Sequence, residues 1–138
     1  MKTASERGKS SRRKGAAGER ELVRMIRDEL GLDVSRNLKQ FQQAQEGDLT
    51  PVGPFLIEAK NCARLSVKAW WIQAVAQAKK SDLIPVLAYK VARKGWRFVL
   101  PVPHGEGYPR PDGYWRYDYE FTMDVSPACF FLVVRESL

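Results

Sequence analysis

The chain has 138 residues, 44% of them hydrophobic and 28% charged, which suits one soluble globular domain with a real core. No apolar run approaches the roughly 18 residues of a membrane span, and the basic, Ser-rich N-terminus has no apolar stretch behind it, so neither a membrane protein nor a secretory signal is read. Cys62 and Cys129 lie far apart and His104 is the single histidine, so zinc-ligand spacing is missing and Ser-His or Cys-His chemistry has little support; reduced thiols of an intracellular protein are expected.

The net charge of +7 is unevenly spread. Residues 1–14 carry +5 and residues 60–100 carry +8, whereas 15–59 and 101–138 each carry −3. A basic arm and a basic central segment favour a polyanion, nucleic acid above all, over a surface that is positive merely for solubility.

Residues 1–14 lack aromatic and β-branched apolar residues and read as a disordered arm whose Arg12, Arg13 and Lys14 can trail along a DNA backbone. Residues 15–30 read as a helix with Leu22, Val23, Ile26 and Leu30 on its buried stripe and Gly31 at its end. Glu19 falls on that same inward stripe, where a carboxylate is costly unless paired or bound to a cation; the competing account is the preference of acids for a first helical turn. Glu21, Asp28 and Glu29 read as polar-face residues. Leu32 to Arg36 reads as a short strand, and Arg36 serves equally well as a phosphate contact or an edge-strand charge. The Gln-rich loop 37–46 then leads into Asp48.

From Asp48 the chain runs through a Pro51-Val52-Gly53-Pro54 turn into Phe55-Leu56-Ile57-Glu58-Ala59-Lys60. Alternation puts Leu56, Glu58 and Lys60 on one strand face, and a hairpin would return Asp48 to the neighbourhood of Glu58. Two carboxylates and an ammonium then meet at one strand end. That set suits a hard cation with oxygen ligands such as Mg²⁺, with the lysine available to an anionic phosphate or its attacking hydroxide. A lone Glu-x-Lys is otherwise the mark of a solvated strand face.

Ser66 reads as the cap of a second helix, 67–80, with Trp70, Trp71, Ala74, Val75 and Ala78 on its apolar face. Gln73 and Gln77 are accessory candidates for orienting a water or phosphate, against plain solvent exposure. Residues 84–90 and 96–101 read as strands around an Ala92–Gly95 turn, with Lys90 at the end of the first. Loop 102–113 is rich in Pro and Gly, and residues 114–121 alternate as a half-buried strand would. Ser126-Pro127 signals a final helix, 128–137, although Phe130 to Val134 also reads as a strand.

Lys14-Gly15 with Glu19-Arg20-Glu21-Leu22, Arg36, Asp48 with Glu58-Ala59-Lys60, and Ile84 to Lys90 followed by Gly95-Trp96-Arg97-Phe98 together resemble the archaeal-type Holliday junction resolvases of the PD-(D/E)xK nuclease superfamily. The resemblance spans roughly residues 14–101. It implies an α/β, restriction-endonuclease-like mixed sheet flanked by helices, with residues 15–101 as the nuclease core and 102–138 as an extension of the same domain. It further implies a homodimeric, Mg²⁺-dependent endonuclease that cuts branched DNA, with Mn²⁺ able to substitute and no small-molecule cofactor, acting in the cytoplasm on nucleoid or phage DNA. Carried over residue by residue, Glu19, Asp48 and Glu58 are metal and catalytic carboxylates, Ala59 offers its carbonyl to the metal, Lys60 is the catalytic lysine, and Arg20, Arg36 and Lys90 are junction contacts. The longer Gln-rich loop, the Trp70-Trp71 pair and residues 102–138 depart from that pattern. The alternatives are a repair, restriction-type or flap nuclease of the same fold, and a non-catalytic DNA-binding protein. One carboxylate cluster per chain and a generous aromatic content (Trp70, Trp71, Trp96, Trp115, Tyr117, Tyr119, Phe121) predict a dimer with some of these aromatics at its interface.

Overall fold

Parity along the strands decides the architecture. The computed structural model describes residues 4–37, 48–103 and 117–138, with side chains from residue 13 onward. Its regular elements are α1 (Ala4–Leu30), β1 (Phe55–Lys60), α2 (Val67–Ser81), β2 (Ile84–Val91), β3 (Gly95–Pro101), β4 (Thr122–Val125) and α3 (Pro127–Ser137). The strands form one sheet in the order β1-β2-β3-β4, with β1 and β2 parallel and the other pairs antiparallel. The parallel pair needs a crossover, and α2 supplies it.

Residues of one parity, Phe55 and Ile57, Val86 and Ala88, Phe98 and Leu100, face α1 and α3 and form a core with Leu22, Ile26, Phe130 and Val134. Residues of the other parity, Leu87, Tyr89 and Val99, face α2 and pack on Trp70, Trp71 and Ala74. The fold is thus α/β, a mixed sheet with helices on both faces, as expected. Phe98 and Phe130 stack with ring centroids 4.3 Å apart at the centre of the larger core.

Four expectations need correction. The helical backbone begins at Ala4, so most of the stretch read as a disordered arm extends α1. Once the buried turns around Leu22 exist, each added residue contributes a hydrogen bond without a new nucleation cost, and residues 4–14 contain no proline to stop it. The short strand 32–36 is reduced to a single bridge, Arg36 to Leu49. The alternating pattern before residue 121 does not make a strand in its described part: Tyr119–Phe121 is a 3₁₀ turn, and β4 follows it. The Tyr117 carbonyl accepts a 2.7 Å bond from the indole of Trp71, which draws this segment onto α2. Trp70, Trp71, Trp96 and Tyr117 are all buried within this one chain, so they are core residues and not the surplus from which an interface was argued; Tyr119 and Phe121 remain exposed. The Gln-rich loop from residue 38, most of the Pro/Gly-rich loop and Trp115 lie outside the described residues.

Residues 127–137 form a helix rather than a strand. Pro127 occupies its first turn, and the Ser126 hydroxyl accepts the Cys129 N–H at 3.2 Å. Phe130, Phe131 and Val134 bring the C-terminal segment into the same core as β1.

Candidate active site

The free edge of β1 gathers the carboxylates. Val52 and Phe55 exchange both backbone bonds at 2.9 Å around Gly53, whose φ of +55° suits a residue without a Cβ. Leu49 and Val52, both fully buried, anchor the incoming chain beneath that turn. Alongside it, Asn37 N–H donates to the Asp48 carbonyl at 2.8 Å and Thr50 N–H to the Ser35 carbonyl at 2.9 Å, so Arg36 and Asp48 sit on neighbouring segments. Asp48 Oδ2 then accepts the Ala59 N–H at 2.9 Å. An edge strand leaves such an N–H unpaired, and here a carboxylate satisfies it. In an extended strand the carbonyl of a residue projects to the same side as its N–H, so the Ala59 carbonyl faces this edge too.

Glu58 lies beside Asp48 and is largely buried, its side chain 14% exposed. Burial, then the charge of Asp48, push its carboxyl up to about 8, against the pull of Lys60; a hydrogen bond shared with Asp48 and the charge of Glu19 act in the same upward direction. Lys60 Nζ stands 3.8 Å from Glu58 Oε1, a loose pair, and Lys60 makes no side-chain hydrogen bond among the described residues. Glu19 completes the group from α1. It too is raised, first by burial and also by Asp48, while the 2.8 Å bond from Arg36 Nε opposes the shift. Glu19, Asp48, Glu58 and Lys60 are therefore brought together, as the residue pattern anticipates.

The donor set is all oxygen: Asp48, Glu58, the Ala59 carbonyl and, one step away, Glu19. Two carboxylates forced together with one of them holding its proton are an arrangement that a hard divalent cation relieves, so the residues fit such an ion. Among the described residues no group of three or more His, Cys, Asp or Glu side chains is arranged to hold a metal ion, and Glu19 is bonded to Arg36 instead.

Gly18 and Asn61 set the approach of α1 to β1. A Cβ placed on Gly18 would sit 2.8 Å from the Asn61 Cβ, and the Asn61 amide donates to the Lys14 carbonyl at 3.0 Å. The first residue precedes Glu19 and the second follows Lys60. Nothing in the periodicity marks either one.

Other expected contacts are placed differently. Lys90 Nζ bonds Glu21 Oε2 at 2.7 Å, and the Trp96 indole donates to Glu21 Oε1 at 3.0 Å. Glu21, read as an idle polar-face residue, is thus a three-way tie between α1, β2 and β3, and its carboxyl is lowered chiefly by Lys90. Arg20, Arg13 and Lys14 are exposed; the side chain of Arg12 lies outside the described residues. Gln73 is exposed, whereas Gln77 is half-buried with its amide oxygen unpartnered among the described residues. No hydrogen bond among those residues ties either glutamine to the carboxylates.

Among the described residues no helix is long and apolar enough to cross a membrane. No curated protein matches the chain. A sequence model of the family described as "Phage putative PDDEXK endonuclease" matches residues 10–107, well over half the chain and all four clustered side chains. Proteins of this kind are DNA nucleases that generally use divalent metal ions. The chain belongs to the phage PDDEXK endonuclease family.

Proposed function

We propose that this chain is a Mg²⁺-dependent endonuclease of branched DNA, acting on four-way junctions as a dimer. The observation that carries the nuclease reading is the convergence of Asp48 and Glu58 at the β1 edge with Lys60 Nζ 3.8 Å from Glu58. Asp48, Glu58 and the Ala59 carbonyl would hold the cation, with Glu19 able to join when Arg36 releases it. A bound divalent ion supplies Lewis-acid polarisation of the scissile phosphate. The chain's own groups do the rest. Asp48 is oriented by the Ala59 N–H and shares a hydrogen bond with Glu58. Glu58 would give up its proton to solvent with a cation beside it, since a neighbouring positive charge favours the carboxylate. Lys60, a donor without acceptor capacity, steadies an attacking water or the charge that grows on the phosphate oxygens.

The junction and the dimer rest on the sequence resemblance. Each chain supplies one carboxylate cluster, and symmetric cleavage of a four-way junction needs two. A repair, restriction-type or flap nuclease uses the same cluster on other DNA. The test is cleavage of a synthetic four-way junction, a linear duplex and a flap, each with Mg²⁺ and with EDTA, alongside light scattering of the free protein. Paired incisions confined to the junction, from a protein of twice 15.7 kDa, are expected. Cutting of the flap or duplex alone overturns the junction reading, and no metal-dependent cutting of any substrate overturns the nuclease reading.

A further inference from the structure

Beside the carboxylates, on the flank of α1, runs a groove of about 540 Å³ lined by Arg20, Arg24, Arg27, Ser35 and Arg36, with Asp28 its one acid. Arg20, Arg24 and Arg27 follow at spacings of four and three, so they form one row along the helix. Arg13, exposed and seven residues earlier, lies on the same line. From Arg13 to Arg27 is fourteen residues, about 21 Å at roughly 1.5 Å of rise per residue.

The cations around the site divide sharply by what they already hold. Lys90 is paired with Glu21 and Arg97 with Asp124, at 2.7 and 2.8 Å. Arg36 is paired with Glu19, and Arg27 donates to the Val34 carbonyl at 2.6 Å. Arg20 and Arg24 are exposed and make neither an ion pair nor a hydrogen bond among the described residues. A guanidinium group matches phosphate oxygens two at a time. A strand of DNA presents a phosphate about every 3.4 Å of helix axis, so a 21 Å row runs beside about six nucleotides of one strand.

We propose that this groove is a phosphodiester track: one DNA strand leaves the cleavage site along α1, held at its phosphates by Arg24 and Arg20 and not at its bases. This rests on the nuclease reading and adds the direction the strand takes. Because Glu19 immediately precedes Arg20, the strand meets the carboxylates and the track on the same helix. Lys90, already neutralised by Glu21, lies off this path. Asp28 marks the far end, where a phosphate would be repelled.

The test is binding of two unrelated duplexes of about 30 base pairs, in EDTA so that nothing is cut, over a series of salt concentrations. Arg24→Gln and the pair Arg20→Gln/Arg24→Gln are compared with the wild type and with Lys79→Gln, an exposed change at the far end of α2. Glutamine is nearly as good a helix former as arginine, so the fold is kept, and circular dichroism checks it. The slope of log K against log salt should become shallower by roughly 0.9 for each arginine removed, equally on both sequences, with Lys79→Gln unchanged. An unchanged slope for Arg24→Gln overturns the track, as does a loss confined to one sequence or a wild type that does not bind. Cleavage by the wild type in Mg²⁺, run in parallel, separates this outcome from failure of the nuclease reading: a wild type that cuts with an Arg24-independent slope sinks only the track.

Discussion

Two groups built around acids sit on the same sheet, the carboxylate cluster at the β1 edge and a network around the single acid Asp124 where β3 meets β4. At the second, Asp124 receives Arg97 twice, through the carboxylate at 2.8 Å and the backbone carbonyl at 3.0 Å, and also the hydroxyl of Tyr89. Every acceptor there has a donor, and the tyrosine is pushed up to about 12, first by its burial and then by Asp124. At the first, Glu58 has a distant lysine and two acids for neighbours. The contrast is between one acid satisfied by donors of its own chain and a set of acids crowded against one another. Stability favours the former arrangement everywhere, so the latter marks where the chain has work to do.

The sharpest way to break that contrast is to neutralise one acid in each cluster. Glu58→Gln or Asp48→Asn should reduce Mg²⁺-dependent cleavage on the order of 10²–10³-fold or more, the scale at which removing a charge-stabilising group acts. The melting temperature of the metal-free protein should hold or rise, since the crowding of Asp48 against Glu58 is relieved. Asp124→Asn should do the reverse, leaving cleavage within about twofold and costing about 1–2 kcal/mol of stability, because a charge-assisted but half-exposed network is lost. Cleavage that survives Glu58→Gln would show that the wrong cluster has been assigned.

Lys60→Ala comes next. Turnover should fall on the order of 10²-fold while junction affinity changes little, the pattern of a group acting in the transition state more than in the ground state. A loss carried wholly by affinity would make Lys60 a phosphate anchor instead.

The pH dependence of the metal-free protein sharpens the comparison further. Glu58 is raised to about 8 from an ordinary 4.5, so the folded chain keeps a proton that the unfolded chain has shed. That contribution to stability is complete below about pH 4.5 and is lost as pH rises towards 8. Thermal unfolding across this window should show a decline that Glu58→Gln removes. Mg²⁺ should counter the decline most strongly at the alkaline end, where the acids it binds are free of protons. A flat profile for the wild type would indicate that Glu58 is not crowded in solution.

The smallest effect is expected from Tyr89→Phe. Its backbone pairs with that of Lys60 across β1 and β2, yet its hydroxyl serves Asp124. The change should cost no more than about 1 kcal/mol and leave cleavage alone. A marked loss of activity would mean that the two clusters communicate through that strand pair.

Much of this was legible from residue spacing. Alternation in Phe55 to Lys60 and the apolar run from Ile84 specify which side chains face each helix layer, and a turn at Gly53 suffices to carry Asp48 back to Ala59. The helical stripe through Leu22, Val23 and Ile26 brings Glu19 in with it. What escaped has a common cause: it depends on partners far along the chain. Glu21 is unremarkable until Lys90 and Trp96 arrive from two strands. The segment at Tyr117 alternates like a strand but is captured by the Trp71 indole, 46 residues away. Tryptophans that look too numerous for one core are absorbed because the sheet has two buried faces. The outward run of α1 to Ala4 follows from cooperativity along a helix, which no local composition displays.

The close approach of Gly18 to Asn61 has an evolutionary corollary. With 2.8 Å between a would-be Cβ and the Asn61 Cβ, position 18 cannot vary alone: any side chain there levers α1 outward, and Glu19 and Arg20 travel with it. The two positions should therefore drift as a couple. Among functional variants drawn from a library randomised at both, residues larger than glycine at 18 should appear only beside a glycine at 61. The helix that bears an acid for the reaction and arginines for the substrate is free to diverge along its outer surface, yet it is bound to its neighbour by a contact in which a single methyl group is already too much.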